Sequence, residues 1–215
     1  MRRAPRPSAA GSAPSSYPPP LPASRSSGSR CCRATSGASR ASRRSTRSGL
    51  EPWQLVGALH EGFRIALLGV SLGRVYNSAR AVGLARWALE KAVAYASQRV
   101  AFGAPIAEHQ GVAFPLAESA MEVHAAHLAG LNAALLLDRG ERAIKELSMA
   151  KAFSVEVCLR AVDRAIQTHG GMGLTNEVGL VHAYNTLRII NIADGTNEIL
   201  RRTIFQQLSR GDLDL

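Results

Sequence analysis

Acidic residues are absent from the first 48 positions of this sequence, which carry ten of its arginines. The whole chain has 26 basic and 16 acidic residues, so 16 of each remain after position 48. Gly49–Leu215 is therefore formally neutral, and the net charge of +10 belongs to the first segment alone. That charge does not predict that the rest of the chain binds nucleic acid or a membrane surface.

Bulky apolar residues are scarce in residues 1–48, called the leader here, which are rich in Ser, Ala, Arg and Pro. Such a segment buries too little surface to offset its ordering entropy, so we predict that it is disordered. It lacks the apolar stretch of a secretory signal, and its composition is typical of an organellar transit peptide. A nucleic-acid-binding arm and an artefact of a misplaced start codon or a frameshift are the other interpretations. We expect a cytoplasmic protein, or a mitochondrial matrix protein if the leader is a transit peptide.

Cysteine is also scarce. Three cysteines are too few for a disulfide framework, so a reducing, intracellular setting fits best. No apolar run is long enough to predict a bilayer span. His124 and His127 lie one helical turn apart, but no Glu-x-x-His pair recurs on another helix, so we expect no metal site.

Proline nearly disappears after Pro52, whereas Ala and Leu become abundant, so the sequence predicts helices. The fold class that follows is all-α, an antiparallel bundle of three long helices plus shorter C-terminal helices. The predicted helices cover residues 61–98 with a break near 69–73, then 109–137, 141–169, 178–185 and 197–209. One stripe of the second helix repeats at 3-4 spacing and is predicted to face the bundle. Its members are Phe114, Ala117, Met121, His124, Leu128, Leu131 and Leu135.

A short loop near the end of the chain carries the most suggestive carboxylate, Asp194. Gly195 follows it and frees the backbone, and Thr196 is placed to cap the next helix. The start of that helix would direct unpaired N–H groups towards an anion. The pattern alone favours a capping role for Asp194, and a catalytic carboxylate is the alternative.

Several motifs together resemble the C-terminal helical domain of acyl-CoA dehydrogenases, over nearly all of Gly49–Leu215. No single motif is specific, but they follow in the family's order and spacing. They are Glu61-Gly62-Phe63, Ala81-Val82-Gly83-Leu84-Ala85, Tyr95-Ala96-Ser97-Gln98-Arg99-Val100-Ala101-Phe102-Gly103, His109-Gln110, Leu116-Ala117-Glu118, Ala150-Lys151-Ala152, Gln167-Thr168-His169-Gly170-Gly171-Met172-Gly173 and Asp194-Gly195-Thr196-Asn197-Glu198-Ile199.

The resemblance implies an FAD-dependent oxidoreductase of fatty acid metabolism that forms a Cα–Cβ double bond in an acyl-CoA thioester. Asp194 occupies the position of the family's catalytic base, which is Glu in many members. Its side chain is one methylene shorter, so the carboxylate must approach from a shifted backbone or reach a different substrate. Other branches place the base on the first long helix, but no Glu or Asp lies between Arg64 and Ala88.

The resemblance also assigns ligand contacts by motif. For the substrate it implies Arg74, Gly195 and Ser71, the last replacing an acidic residue of some members. For the cofactor it implies contacts from four segments, although Ala101 replaces a polar residue. The implied FAD residues are Arg99, Ala101, Phe102, His109, Gln110, Gln167, Gly170, Gly171, Thr196 and Glu198.

The implied partners are acyl-CoA, an electron-transfer partner protein and further copies of the chain, as a homodimer or homotetramer that shares FAD between subunits. We expect no nucleic acid partner and no membrane span. The family's N-terminal helical and middle β-domains have no counterpart in these residues, so we expect them to correspond to the C-terminal third of an enzyme. A catalytically silent fragment that oligomerises or binds the adenosine part of FAD is the alternative.

Overall fold

The computed structural model describes residues 51–214, which form a helical bundle and confirm the all-α prediction. The leader lies outside the described residues. The five α-helices are α1 (Gly62–Gln98), α2 (Gln110–Asp138), α3 (Ile144–His169), α4 (Leu180–Ile192) and α5 (Asn197–Leu208). Two short strands, β1 (Val100–Ala101) and β2 (Ala104–Pro105), pair as an antiparallel hairpin between α1 and α2.

Two helix predictions are wrong. One placed a break inside α1, and the other ended α4 too early. Helix α1 is continuous through Gly69 and Gly73, because a glycine costs a helix interior only about 1 kcal/mol relative to alanine. Helix α4 runs from Leu180 to Ile192, well beyond the predicted end at residue 185. Its second half buries Leu187 and Ile190, and this tertiary burial extends the helix.

The three long helices pack up-down-up, so α1 and α3 run in the same direction. Near one end of the bundle the Arg74 guanidinium donates to the Ser148 hydroxyl at 3.4 Å. Near the other end the rings of Tyr95 and His169 stack with centroids 4.5 Å apart. Both pairs are separated by the same 74 positions, so the two helices stay in register along this length.

Small side chains form the inner face of α1. Its fully buried apolar residues are Ala81, Ala85, Ala88, Ala92 and Ala96. Helix α3 packs the larger residues Val155, Cys158 and Val162, together with Ala165, into the same core. Because the distance between packed helices depends on the side chains at the contact, the alanines let α1 and α3 lie close together. Burial raises the pKa of the Cys158 thiol to about 12, which fits a core residue rather than a nucleophile.

The predicted inner stripe of α2 instead faces outward. Phe114, Met121 and Leu128 are between 50 and 66% exposed. The buried face has the same 3-4 spacing but begins two residues later, at Leu116, which is about 200° round the helix. The period was therefore predicted correctly and the phase was wrong. Helix α2 is apolar on both faces, and its smaller residues (Ser119, Val123, Ala126 and Ala133) are the ones that fit against the bundle.

By length and composition alone, α2 is apolar enough to cross a bilayer, contrary to the sequence-based expectation. Two of its carboxylates, however, pair with α3. Glu118 accepts from Arg164 at 2.9 Å, and Glu122 accepts from Arg160 at 2.9 Å and from Arg164 at 3.2 Å. We therefore attribute the hydropathy of α2 to its exposed apolar stripe.

Candidate active site

Asp194 lies in a left-handed turn between α4 and α5. Its φ is +53°, and that of Gly195 is +99°. A non-glycine residue with positive φ is uncommon and costs about 1 kcal/mol or more, so it persists where surrounding contacts fix it. The contacts of this loop therefore decide where the carboxylate lies.

Helix α1 provides the surface on which the Asp194 carboxylate rests. The buried side chain of Asn77 donates from Nδ2 to Asp194 Oδ2 at 2.5 Å. One turn earlier, Gly73 leaves room for the same carboxylate, since a Cβ built there would lie 2.6 Å from Oδ2 and 2.9 Å from Cγ. The carboxylate is therefore placed by α1 as well as by its own loop.

Arg74 holds the backbone of the same loop. Its Nε donates to the Asp194 carbonyl oxygen at 3.3 Å, while Nη1 reaches Ser148 on α3. Burial lowers the pKa of Arg74 from its ordinary value, and the negative charge of Asp194 partly opposes that shift. The guanidinium thus remains a cation and joins α1, α3 and the Asp194 loop.

Lys151 holds the loop from the α3 side. Its ammonium is fully buried and donates to the carbonyls of Gly195 at 2.8 Å and Asn191 at 3.2 Å, with Asn197 Oδ1 at 3.4 Å. Three acceptors match the three N–H donors of an ammonium. Burial lowers the pKa of Lys151 to about 8, although the negative charge of Asp194 acts in the opposite direction.

This lowered pKa predicts a pH-dependent stability. Between about pH 8 and pH 10.5 the unfolded chain holds the Lys151 proton and the folded chain has lost it, so stability rises with pH through this window. The rise is on the order of 1–3 kcal/mol. We expect Lys151→Met to remove the rise in denaturant unfolding measured at several pH values. As a control, Ser154→Ala, a neutral change on the same buried helix, should lower stability equally across the window, and an unchanged slope in Lys151→Met would contradict the prediction.

The start of α5 contributes Thr196 and Glu198. Thr196 is the residue before the helix. The pattern predicted that its hydroxyl caps the first turn, and this prediction is wrong, because the hydroxyl forms no capping hydrogen bond. The backbone N–H of Glu198 and the Thr196 hydroxyl hold the pKa of the exposed Glu198 carboxyl below its usual range. Both residues follow Asp194 closely in the sequence, directly after Gly195, whose carbonyl binds Lys151.

A second group of predicted residues lies at the β-hairpin. Phe102, at its tip, is 97% exposed with a φ of +55°. His109 accompanies it, with the two rings edge to face at 6.1 Å, and His109 Nε2 lies 3.1 Å from the Ala101 carbonyl oxygen. Arg99 and Gln110 are exposed beside them, and within residues 51–214 the Arg99 guanidinium forms no salt bridge.

The glycine turn after α3 lies at the same end of the bundle. Gln167, Gly170 and Gly171 are exposed, and a Cβ at either glycine would meet nothing within 4 Å. The stack of Tyr95 on His169 brings this turn beside the end of α1. Exposed backbone, a free guanidinium and an exposed aromatic ring suit an anionic, ring-bearing ligand such as a dinucleotide.

The predicted site residues therefore form two groups rather than one. Asn77 of α1 lies beside Asp194, and Gln98, at the end of the same helix, lies beside the hairpin. The part of α1 between them is about 30 Å long at 1.5 Å per residue. Thr196 and Glu198 belong to the first group, and Arg99 and Gln167 to the second. The FAD residues implied by the resemblance thus fall into two groups about 30 Å apart along α1 within one copy.

Ser71 lies in a Gly-x-Ser-x-Gly sequence, a pattern otherwise associated with a nucleophilic serine on a strand-to-helix turn. Here all five residues of this motif lie inside α1, and the Ser71 hydroxyl donates to the Leu67 carbonyl at 3.0 Å. Ser71 is thus no nucleophile of that kind. It lies one turn from Arg74, on the approach to the Asp194 loop.

Sequence reasoning did not assign the residues that surround Asp194, namely Gly73, Asn77, Ser148 and Lys151. A signal for part of this set was present. Asn77 interrupts an Ala-rich helix one turn after both Gly73 and Arg74, and polar residues at this spacing share one face. What the sequence does not contain is the long-range contact between that face and a loop more than a hundred residues later.

Comparisons with known proteins agree with this fold. A family model described as acyl-CoA dehydrogenase, C-terminal domain, matches residues 60–209. A 3-(aryl)acrylate reductase of Clostridium sporogenes is 40% identical over 154 residues, covering 72% of this chain and 41% of that protein. An acyl-CoA dehydrogenase of Bacillus subtilis is 40% identical over 157 residues, covering 73% and 41%. The structure of butyryl-CoA dehydrogenase from Megasphaera elsdenii is similar with a TM-score of 0.70 and 32% identity, covering 72% of this chain and 40% of that one.

The chain belongs to the acyl-CoA dehydrogenase family and contains the family's C-terminal domain. The resemblance stated from the sequence is thereby confirmed. The chain spans about 41% of the length of the curated relatives it matches.

Proposed function

We propose that this chain supplies the base and part of the flavin site of an acyl-CoA dehydrogenase that forms a Cα–Cβ double bond in an acyl-CoA thioester. The observation that carries the proposal is the placement of Asp194, whose carboxylate is fixed by Asn77 and whose backbone is held by Arg74 and, through Gly195, by Lys151. A base needs this kind of fixed placement within hydrogen-bond reach of the proton it removes.

In the proposed reaction Asp194 takes the α proton as the α C–H bond breaks. The β C–H bond breaks with both its electrons, and the double bond forms from the electrons left at the α carbon. A bound flavin would supply the acceptor for that hydride, and the residues proposed to hold it are Arg99, Phe102, the glycine turn and Thr196. Hydrogen bonds to the thioester carbonyl stabilise the developing enolate. The family resemblance implies that Gly195 lies beside that carbonyl.

The cofactor proposed is FAD, bound across two copies of the chain. The hairpin group, with Arg99, Phe102 and the glycine turn, offers cationic and aromatic contacts, and the Asp194 group offers Thr196 at the start of α5. Because about 30 Å of α1 separates the two groups, we assign them to different copies of the chain around one FAD. The electron-transfer partner implied by the family remains part of this proposal.

Self-association follows from the outer face of α2. Phe114, Met121, Leu128, Leu131 and Leu135 are each at least 46% exposed and form an apolar stripe along the helix that His124 interrupts. Stripes of this kind mark interaction surfaces in soluble proteins. We propose that this face joins copies of the chain into a dimer or tetramer.

The experiment is size-exclusion chromatography with light scattering, run on the chain after FAD is added and the excess removed. We expect visible flavin absorption to elute with a dimer or larger species, and an acyl-CoA added anaerobically to bleach it. Arg99→Ala should lower the bound flavin about tenfold or more, because it removes a charge-assisted contact. Arg86→Ala, which removes an exposed arginine within α1, should not. Protein free of flavin, or flavin that acyl-CoA leaves fully coloured, would contradict the proposed function.

A further inference from the structure

We propose that Asn77 is a positioning residue for Asp194, orienting the carboxylate of this short side chain towards the substrate. The inference rests on the proposed role of Asp194 as base. Asn77 does not itself touch the substrate. It acts by binding one carboxylate oxygen, Oδ2, at 2.5 Å, which leaves Oδ1 as the oxygen that receives the proton.

The burial of Asn77 supports this role. Asn77 is only 6% exposed, on a face of α1 where most of the other buried residues are alanines. Asn lowers helix stability relative to Ala, and a buried amide without a partner costs about 1–3 kcal/mol. Within the described residues, its side-chain hydrogen bond is the one to Asp194, so the amide and the carboxylate satisfy each other.

The direction of the contact is fixed by chemistry. A carboxylate accepts hydrogen bonds, and an amide donates only from its nitrogen, so the NH₂ group of Asn77 must face Asp194. Gly73, one turn earlier on the same face, lets the carboxylate lie against α1. Loop and helix therefore meet at a defined point, which compensates for the missing methylene relative to Glu.

A neighbouring residue provides a matched control. Ser78 is equally buried, but its hydroxyl donates to the Arg74 carbonyl at 2.9 Å within its own helix. Replacing Ser78 by Ala removes a buried hydrogen bond without touching Asp194. Asn77→Leu has nearly the shape of Asn and lacks the donor.

The first measurement needs neither cofactor nor substrate. Denaturant unfolding of the full chain is compared for wild type, Asn77→Leu, Asp194→Ala and the double variant. We expect non-additive changes in the unfolding constant with a coupling of about tenfold, which is about 1.4 kcal/mol. Ser78→Ala combined with Asp194→Ala should be additive within about twofold. Additive effects of Asn77→Leu and Asp194→Ala would overturn the proposal.

The second measurement is the rate at which acyl-CoA bleaches the flavin-bound protein. We expect Asn77→Leu to slow bleaching about 10- to 100-fold, because misplacing a catalytic group by about an ångström has such an effect. The acyl-CoA concentration at half-maximal rate should change less than about threefold, since the loss falls on the chemical step. Wild-type rates in Asn77→Leu would overturn the positioning role even if the coupling is present. Wild-type rates in Asp194→Asn would instead overturn the assignment of the base, and the coupling measurement keeps the two failures distinct.

Discussion

Replacing Asp194 by Asn lowers the rate of flavin reduction by acyl-CoA about 10²- to 10⁴-fold while FAD stays bound. The amide has nearly the same shape as the carboxylate, but it cannot accept the α proton, and general-base catalysis contributes about this much. The measurement is stopped-flow absorbance of the flavin after mixing with acyl-CoA. A second measurement, exchange of the acyl-CoA α proton in D₂O, reports proton removal without the redox step and should fall in parallel.

Two other carboxylates serve as controls for this result. Asp163 is exposed on α3, and Asp163→Asn changes charge by the same amount far from the loop. Glu198 is exposed at the start of α5 and is the other acidic group whose charge reaches Lys151. Asp163→Asn should not slow reduction more than a few-fold, and Glu198→Gln should slow it less than Asp194→Asn does. If Glu198→Gln carries the large loss and Asp194→Asn does not, the base is Glu198.

How far the sequence predicts this site depends on the range of the contacts. A loop at Asp194 followed by a helix follows from local chemistry, since Gly195 and the helix start after it are visible in a few residues. The position of the Asp194 carboxylate does not follow from local chemistry. It requires Gly73 and Asn77 on α1 to meet a loop 117 positions after Asn77, and no local pattern specifies that meeting.

The fold shows the same division. Spacing of apolar residues predicted long helices because periodicity is a local property. The phase of α2 was wrong because large apolar residues were taken as the inner face, whereas α1 presents alanines and Asn77 to the bundle. Size alone does not identify the buried face of a helix that is apolar on both sides.

A second substitution with a large expected effect is Gly73→Ala on α1. In an exposed helix interior, Gly→Ala stabilises by about 0.5–1 kcal/mol. Gly69 meets this description, because a Cβ added there would have nothing within 4 Å, whereas a Cβ at Gly73 would lie 2.6 Å from Asp194 Oδ2. We expect Gly69→Ala to raise the midpoint of denaturant unfolding and Gly73→Ala to lower it, because the added methyl group displaces the carboxylate from Asn77.

The effect of Gly73→Ala on catalysis should be larger than its effect on stability. The Asp194 side chain cannot give way freely, since Arg74 holds its carbonyl oxygen at 3.3 Å and Asn77 its carboxylate at 2.5 Å. A shift of about an ångström at a reacting group lowers the rate about a hundredfold, so bleaching of the flavin by acyl-CoA should slow by that factor. Gly69→Ala, with the same change in helix propensity, should retain the wild-type rate. If both variants kept that rate, Asp194 would act from a position other than its seat on α1, and the surface formed by Gly73 and Asn77 would serve stability alone.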